Sequence, residues 1–238
     1  RLNEEEIGTW VFRTRGDPGL VEARDTLLCE HQTDWLVREI ILYLKRTLQR
    51  LDVSARSLIA LIEPDSCFVG SLLELVSVAD RSYMLDGTFE DNDLPAASLR
   101  LTQLNFGLLP MTNARTRLES RFPADQDRIA ELQAHIGQDL DAETAEELGL
   151  VTFIPDDIDW KDEVRLAIEE RASFSPDALT GMEASLRFAG PETMQSKIFG
   201  RLSAWQNWIF QRPNAVGNDG ALTLYGSGKK SRFNKQRV

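Results

Sequence analysis

The stretch that decides the fold runs from Ser57 to Asp80 and reads SLIALIEPDSCFVGSLLELVSVAD. Within it, Leu58 to Ile62 is a short apolar run of the kind that forms a buried strand, and Pro64 ends it. Gly70 to Ala79 is short and apolar on most sides, which predicts a buried helix. The stretch therefore predicts a strand, a glycine-containing turn and a buried helix in succession.

Strands and helices are predicted to alternate on both sides of this stretch. Ile7 to Thr14 is β-branched and aromatic and predicts a strand, and Arg15 to Gly19 predicts a loop. Asp34 to Arg50 predicts a helix because its apolar residues recur every three or four positions. Arg81 to Leu85 predicts another strand. Such alternation predicts an α/β fold with a parallel sheet and crossover helices.

The pattern is less regular in the next part of the chain. Glu90 to Asp93 predicts an acidic surface loop. Helices are predicted over Asn113 to Arg121 and Ala124 to Ile136, and Asp141 is a good N-cap for a further short helix. Val151 to Ile154 predicts a strand.

From Asp159 the chain is predicted to be helical, with a longer helix that opens at Gly190 and ends at Arg212-Pro213. We therefore predict three regions. They are an α/β core over residues 1–158, a helical C-terminal module over residues 159–213 and a polar tail over residues 214–238.

The helical module is rich in aromatic side chains that lie close together in sequence. They are Phe199, Trp205, Trp208 and Phe210. Such a cluster seals either a core or an oligomer interface, and the sequence favours neither. We expect a homo-oligomer, with a dimer as the simplest case.

Charge and hydropathy argue against nucleic acid and membrane partners. The 238 residues have a net charge of −11, and an acidic surface does not suit phosphate binding. The last ten residues are basic, which predicts a solvated or docked terminus, with a nucleic-acid contact as the alternative. No apolar run approaches the roughly 20 residues of a membrane span.

Cysteine and histidine usage argues against disulfides and metal sites. Cys29 and Cys67 lie far apart without a CxxC motif, which suits free thiols in a reducing cytoplasm. The two histidines, His31 and His135, belong to no HExxH motif, and no glycine-rich phosphate loop is present. We therefore expect a cytoplasmic protein that is neither a zinc enzyme nor a nucleotide-phosphate enzyme.

Three stretches follow one another in an order that resembles a known superfamily. Glu74 to Asp80 reads ELVSVAD, Leu104 to Pro110 is followed by Arg117-Leu118, and Leu140 to Val151 contains LDAETA and LGLV. These resemble the ELALACD, LLGxxPGxGGTxRL and LTAEEAxxLGLV segments of the enoyl-CoA hydratase (crotonase) superfamily. The resemblance implies a crotonase-like (ClpP/crotonase spiral) core.

Longer stretches narrow the resemblance to a ring-cleaving branch of this superfamily. They cover residues 170–184, 187–194 and 205–217. The resemblance implies that water is added to an epoxidised aromatic ring held as a CoA thioester, and that the ring opens with release of formate. No cofactor is implied beyond the thioester substrate. Such enzymes carry two crotonase-like halves. Because Met and the opening strands are missing here, we expect the C-terminal half, with the upstream half as its partner.

The resemblance also implies the site residues. Glu74 matches the first catalytic glutamate, which would move protons as an acid or base. Gly70 and Ser71 match the oxyanion and substrate-binding turn, whose backbone N–H would stabilise the thioester oxygen. A second N–H donor is expected near Gly19 and Leu20. The alternative for Glu74 is a structural glutamate that pairs with an arginine or caps a neighbour.

Other residues depart from the family pattern. The second glutamate of the family, in a Pro-Glu pair, has no counterpart, and the nearby acids Glu90, Asp91 and Asp93 predict a solvated loop. The glycine triplet is reduced to Gly70. Cys67 is interpreted as a buried structural cysteine, with a nucleophile as the alternative.

We therefore hypothesise a degenerate crotonase copy that supports an upstream catalytic half. A complete enoyl-CoA hydratase or isomerase and a non-catalytic assembly or dimerisation domain are the alternatives.

Overall fold

The chain divides into two compact units. The structure, a computed structural model, describes residues 4, 6–90, 93–123, 125–187 and 192–236. The core unit comprises Val11–Asp52 and Leu58–Leu166, and the terminal unit comprises Arg1–Trp10, Val53–Ser57 and Ala167–Val238. Within the described ranges, no helix is both long enough and apolar enough to cross a membrane.

Strands and helices alternate among the elements that lie in or enter the core unit. They are β1 (Thr9–Phe12), α1 (Pro18–Glu30), α2 (Trp35–Asp52), β2 (Ser57–Ile62), β3 (Phe68–Val69), α3 (Glu74–Val78), β4 (Arg81–Met84), β5 (Leu99–Arg100), α4 (Arg117–Arg121), α5 (Gln126–Ala134), α6 (Ala142–Glu147) and the first part of α7 (Trp160–Ser173). Short 3-10 turns at Gly70–Leu72 and Gln103–Phe106 precede α3 and follow β5. One sheet has the order β1-β2-β4, and a second pairs β3 with β5.

Strand β2 is the centre of the larger sheet. All six of its residues are buried. It runs parallel to β4, with Ile59 opposite Arg81 and Ile62 opposite Met84. An uninterrupted apolar run is what a strand covered on both faces requires. The predicted strands at Leu58 to Ile62 and Arg81 to Leu85 and their parallel arrangement are confirmed.

The apolar core of this unit lies around the two sheets and the short helix α3. Side chains from strands, turns and helices contribute to it. Its largest members include Ile62, Phe68, Leu73, Met84, Leu99, Leu101, Leu118 and Leu132. The predicted buried helix after Gly70 is therefore confirmed, although it is divided into a 3-10 turn and the five-residue helix α3.

Helix α1 corrects the predicted loop at Arg15 to Gly19. The helix begins at Pro18, and the Asp17 carboxylate accepts the Leu20 N–H at 3.0 Å. An aspartate N-cap followed by proline at the first helical position is a strong helix start. The prediction was wrong because Gly16 and Gly19 on either side of Asp-Pro are typical of turns.

Other boundaries also differ from the prediction. Helix α4 begins at Arg117 rather than Asn113, and the predicted start of the next helix, Ala124, lies outside the described residues. The predicted strand at Val151 to Ile154 is reduced to a single bridge between Phe153 and Tyr83, whose rings stack at 5.0 Å.

The predicted acidic loop is described only at its ends. Glu90 and Asp93 are exposed, and the intervening residues of the loop, 91 and 92, lie outside the described residues. The exposed carboxylates agree with a solvated loop.

The terminal unit is helical over its described C-terminal part. It contains the end of α7, α8 (Pro176–Leu186), a π-helical segment (Ser196–Leu202), α9 (Ser203–Ile209) and α10 (Pro213–Val216). The Ser175 side chain caps α8, with Pro176 at the first helical position. The predicted helix start at Gly190 lies outside the described residues.

Helices α8 and α9 approach closely within the terminal unit. A Cβ on Gly181 would lie 2.7 Å from Ile209 Cδ1, so glycine permits the contact. Trp205 and Trp208 pack edge to face with their centroids 5.5 Å apart. Phe199 and Phe210 are exposed, and an interface role for the aromatic cluster stays a prediction.

The polar tail is docked in part. Asn214 is buried, and its amide donates to Asp177 Oδ2 at 3.0 Å. Its oxygen accepts the Asn234 N–H at 2.7 Å, and Lys235 Nζ donates to the Ala172 carbonyl at 2.6 Å. These contacts agree with the docked-terminus interpretation of the basic segment.

We predict that Ile62→Ala lowers the free energy of unfolding by about 2–5 kcal/mol, because it leaves a cavity in a fully buried central strand. Chemical denaturation measures this change. The control Leu20→Ala removes an exposed side chain and should change stability by no more than about 0.5 kcal/mol. Equal effects of the two substitutions would contradict the assignment of β2 to the core.

We predict that Asp141→Ala lowers the free energy of unfolding by about 1 kcal/mol, because the Asp141 carboxylate caps α6 by accepting the Thr144 N–H at 2.9 Å. Hydrogen bonds from the Thr144 side chain and backbone lower the pKa of Asp141. Its contribution is therefore present above the unfolded pKa and is lost as the pH falls through the folded pKa. The stability difference between the two proteins, measured by denaturation against pH, should shrink in acid. A difference that is constant with pH would argue against the cap.

Candidate active site

Glu74 lies at the start of α3, and both oxygens of its carboxylate accept hydrogen bonds. The residue is only 2% exposed. Its Oε1 accepts the Asn105 amide N–H at 2.7 Å, and its Oε2 accepts from Arg117 at 2.8 Å. Burial raises the pKa of Glu74, and the Arg117 charge and the Asn105 hydrogen bond oppose that rise. Both oxygens of the predicted catalytic carboxylate are thus occupied by groups of the chain itself.

Arg117 joins Glu74 to a second buried carboxylate. Its Nε and one terminal nitrogen donate to the two oxygens of Asp52 at 3.0 and 2.7 Å. The nitrogen that contacts Glu74 also donates to the Leu109 carbonyl at 3.0 Å. Arg117 is 2% exposed and Asp52 is 0% exposed. The planar guanidinium therefore uses its fork to hold two carboxylates away from water.

This arrangement can hold charge in place, and each Glu74 oxygen already accepts a hydrogen bond from a buried side chain. A general acid or base must come within hydrogen-bond reach of the proton that it transfers. The structure shows the arginine pairing that was the alternative interpretation of Glu74. Catalysis by Glu74 stays a prediction.

The Gly70–Leu72 turn brings the other predicted site residues next to a third carboxylate. Gly70 has a φ of 49°, in the left-handed region that favours glycine. The Ser71 N–H, the predicted oxyanion donor, donates to Asp25 Oδ2 at 2.6 Å. Arg24 donates to Asp25 Oδ1 at 2.9 Å and also contacts the Ser71 hydroxyl.

The carbonyl side of the same turn is held by Asn105. The Asn105 amide donates to the Gly70 oxygen at 2.9 Å, and its side-chain oxygen accepts the Thr102 N–H at 3.0 Å. Asn105 also contacts Glu74, so one amide links the turn to the buried ion pairs. A side-chain amide can serve all these contacts because it carries both donors and an acceptor.

The oxyanion donor expected near Gly19 and Leu20 would come from helix α1 and not from a loop. Both lie in the first turn of α1, and the Leu20 N–H is taken by the Asp17 carboxylate at 3.0 Å. The expected loop is therefore corrected to a helix start, and an oxyanion donor near Gly19 and Leu20 stays a prediction.

The thiols lie in environments that suppress reactivity. Cys67 is buried, and burial raises its pKa, as does the nearby charge of Asp17. Burial also raises the pKa of Cys29, with Asp25 adding to the effect. A raised pKa keeps both thiols protonated, which favours the structural interpretation of Cys67.

Sequence reasoning missed four residues of this site. They are Asp25, Asp52, Asn105 and Arg117 as partners of the predicted turn and glutamate. Asn105 and Arg117 lie in the second stretch that resembles the crotonases, so a signal for them was present. Asp25 and Asp52 lie on α1 and α2, far in sequence from Ser71 and Arg117, their respective partners. No local sequence pattern indicates that either aspartate belongs to the site.

No metal-binding group appears in the part of the chain that the structure describes. Within those residues, no three His, Cys, Asp or Glu side chains are grouped so that they could hold an ion. The buried carboxylates Asp25, Asp52 and Glu74 instead have arginine partners.

The fold of the chain is similar to that of solved enoyl-CoA hydratase/isomerases. An enoyl-CoA hydratase/isomerase from Cupriavidus metallidurans CH34 superposes with a TM-score of 0.64 at 20% identity, covering 93% of this chain and 77% of that one. One from Marinobacter aquaeolei superposes with a TM-score of 0.64 at 16% identity, covering 97% and 83%. At such identities the likeness establishes the fold, and the predicted crotonase-like core is confirmed.

A particular relative is much nearer in sequence. The chain is 54% identical over all 238 residues to benzoyl-CoA-dihydrodiol lyase from Aromatoleum evansii. It spans 42% of the length of that relative. No family model matches the chain. The narrower resemblance found in the sequence is therefore confirmed over the full chain.

We predict that Arg117→Met lowers the free energy of unfolding by about 3–5 kcal/mol, because it leaves two buried carboxylates without their shared cation. Denaturation measures the loss. Removing Arg117 takes away a group that opposes the raised pKa of Glu74. A raised folded pKa destabilises the fold above the unfolded pKa, so the loss should shrink as the pH falls.

The matched control is Arg128→Met, which removes a partly exposed arginine paired with Glu131. This control should lower the free energy of unfolding by no more than about 1 kcal/mol. Losses of the same size in both variants would show that the Arg117 network does not support the fold.

Proposed function

We propose that the chain is the C-terminal half of a ring-cleaving lyase of aerobic benzoate degradation. The enzyme would add water to 2,3-epoxybenzoyl-CoA and open it to 3,4-didehydroadipyl-CoA semialdehyde and formate. The observation that carries this proposal is the 54% identity to benzoyl-CoA-dihydrodiol lyase over every residue of the chain. Because the chain spans 42% of that relative, the activity of the whole enzyme belongs to the proposal.

Within that enzyme, this half serves as a degenerate crotonase-like scaffold. Crotonase chemistry needs a free N–H at the oxyanion and a carboxylate that reaches the substrate. Here the Ser71 N–H is bonded to Asp25, and both Glu74 oxygens are bonded. The upstream half would then carry the working carboxylates and the CoA pocket.

An exposed apolar face on α1 and α2 supports a partner. Several large apolar side chains on these two helices are between 43% and 75% exposed, and exposed apolar surface of this kind is typical of an interaction site. They are Leu20, Leu27, Trp35, Leu36, Ile40 and Tyr43. We assign this face to the upstream half or to a second copy in a homodimer.

The remaining parts of the proposal follow from the crotonase resemblance and the composition. The CoA thioester supplies the reactive group, and no separate cofactor is required. The acidic charge and the free thiols support a cytoplasmic enzyme without a nucleic-acid partner.

A second candidate is a purely structural assembly or dimerisation domain that takes no part in lyase chemistry. The closed arrangement around Ser71 favours it. Recombination with the part of the Aromatoleum evansii relative that has no counterpart here separates the two candidates. We expect turnover of 2,3-epoxybenzoyl-CoA by the recombined halves and none by this chain alone.

Either of two results would count against these assignments. Robust turnover by this chain alone would contradict the scaffold role. A stable complex of the two halves without turnover would contradict the lyase and leave the structural domain.

We predict that Glu74→Gln in the recombined enzyme lowers the melting temperature but leaves kcat within about twofold. The substitution removes a buried charge paired with Arg117, and it does not remove a group that transfers protons in this half. A catalytic acid or base would instead cost about 10²- to 10⁴-fold in rate. Steady-state kinetics at a temperature where both proteins are folded decides between these outcomes.

Glu131→Gln is the control for the loss of charge alone. Glu131 is half exposed, so its replacement should change neither the melting temperature nor kcat.

A further inference from the structure

The Asp25 carboxylate is buried against the turn that would bind a thioester oxygen. Asp25 is 0% exposed, although it lies on α1, far from the turn in sequence. One oxygen accepts the Ser71 N–H at 2.6 Å, and the other accepts from Arg24 at 2.9 Å. A carboxylate is stable away from water only with such charge-assisted partners.

The backbone of the turn is shaped around this carboxylate. A Cβ on Gly70 would collide with Asp25 Oδ2, so glycine makes room for the acid. The peptide unit between Gly70 and Ser71 is held at both ends. Its carbonyl accepts from Asn105 at 2.9 Å, and its N–H donates to Asp25. The donor therefore has a single fixed acceptor.

We propose that Asp25 is an internal occupant of the oxyanion position and excludes thioester carbonyls from this crotonase copy. A backbone N–H carries one hydrogen, and an ionised carboxylate accepts it more strongly than a neutral carbonyl oxygen does. The half-exposed Arg24 neutralises the carboxylate from the solvent side. Asp25 thus prevents a thioester carbonyl from accepting the Ser71 N–H in this crotonase copy. This role of Asp25 rests on the proposed scaffold function of the chain. Its test measures thermal stability and does not require lyase activity.

The contacts of Asp25 also indicate which ligand could replace its side chain. Removal of the Asp25 side chain leaves a donor N–H and a guanidinium in a space shaped for one carboxylate. A small carboxylate such as formate fits this chemistry, whereas chloride lacks two oxygens for the two donors.

The test is rescue of Asp25→Gly by formate. In sodium chloride the variant should melt roughly 5–10 °C below the unsubstituted chain, because a buried N–H loses its acceptor. Sodium formate at equal ionic strength should restore at least about half of that loss, with a saturable dependence on concentration. Asp25→Asn keeps an acceptor oxygen and leaves no space, so it should show no formate response.

Leu28→Ala is the matched control. Leu28 is buried one turn further along α1, so its loss destabilises the same helix without creating a carboxylate site. Its melting temperature should be the same in both salts. A formate response of Asp25→Gly no larger than that of Leu28→Ala would overturn the proposal.

A variant that does not stay folded in chloride is tested by refolding. The yield of folded Asp25→Gly after dilution from denaturant should be higher in formate than in chloride, and equal yields would overturn the proposal. Turnover of 2,3-epoxybenzoyl-CoA by the recombined halves is a separate readout. Failure of the lyase proposal is therefore distinguishable from failure of this one.

Discussion

The rest of the core unit depends on one guanidinium buried between two carboxylates. Arg117 is the first residue of α4, Asp52 is the last residue of α2, and Glu74 is the first residue of α3. Three helix ends are therefore joined at one buried point. Buried charges tolerate such a position only while every partner is present, because an unpaired buried ion costs several kcal/mol. The network thus holds the helices in one specific arrangement.

The same network reaches the Gly70–Leu72 turn, where the crotonase resemblance predicts an oxyanion donor. Asn105 bonds to Glu74 on one side and to the Gly70 carbonyl on the other, while Asp25 holds the Ser71 N–H. The peptide unit in the turn is consequently clamped at both its donor and its acceptor. The groups that the crotonase resemblance assigns to substrate binding are thus hydrogen-bonded to other groups of the chain.

Much of this frame could be predicted from local patterns. The apolar run at Leu58 to Ile62 predicted a central strand, and the strand is buried along its whole length. The N-cap at Asp141 predicted a short helix, and α6 begins at the next residue. Local patterns failed where two signals competed. The Asp-Pro start of α1 was hidden by its flanking glycines, and the apolar residues near Phe153 make one bridge instead of a strand.

By itself, the sequence determined the α/β class, the order of the crotonase-like segments and the narrow resemblance to a ring-cleaving lyase. These depend on residue type and spacing along the chain, which are local properties. Only the tertiary structure decided that Glu74 pairs with Arg117 and that Asp25 accepts the Ser71 N–H. Those contacts join residues more than 40 positions apart. The pairing of a buried charge depends on which distant groups the fold brings to it. The spacing of apolar residues along the sequence does not predict those groups.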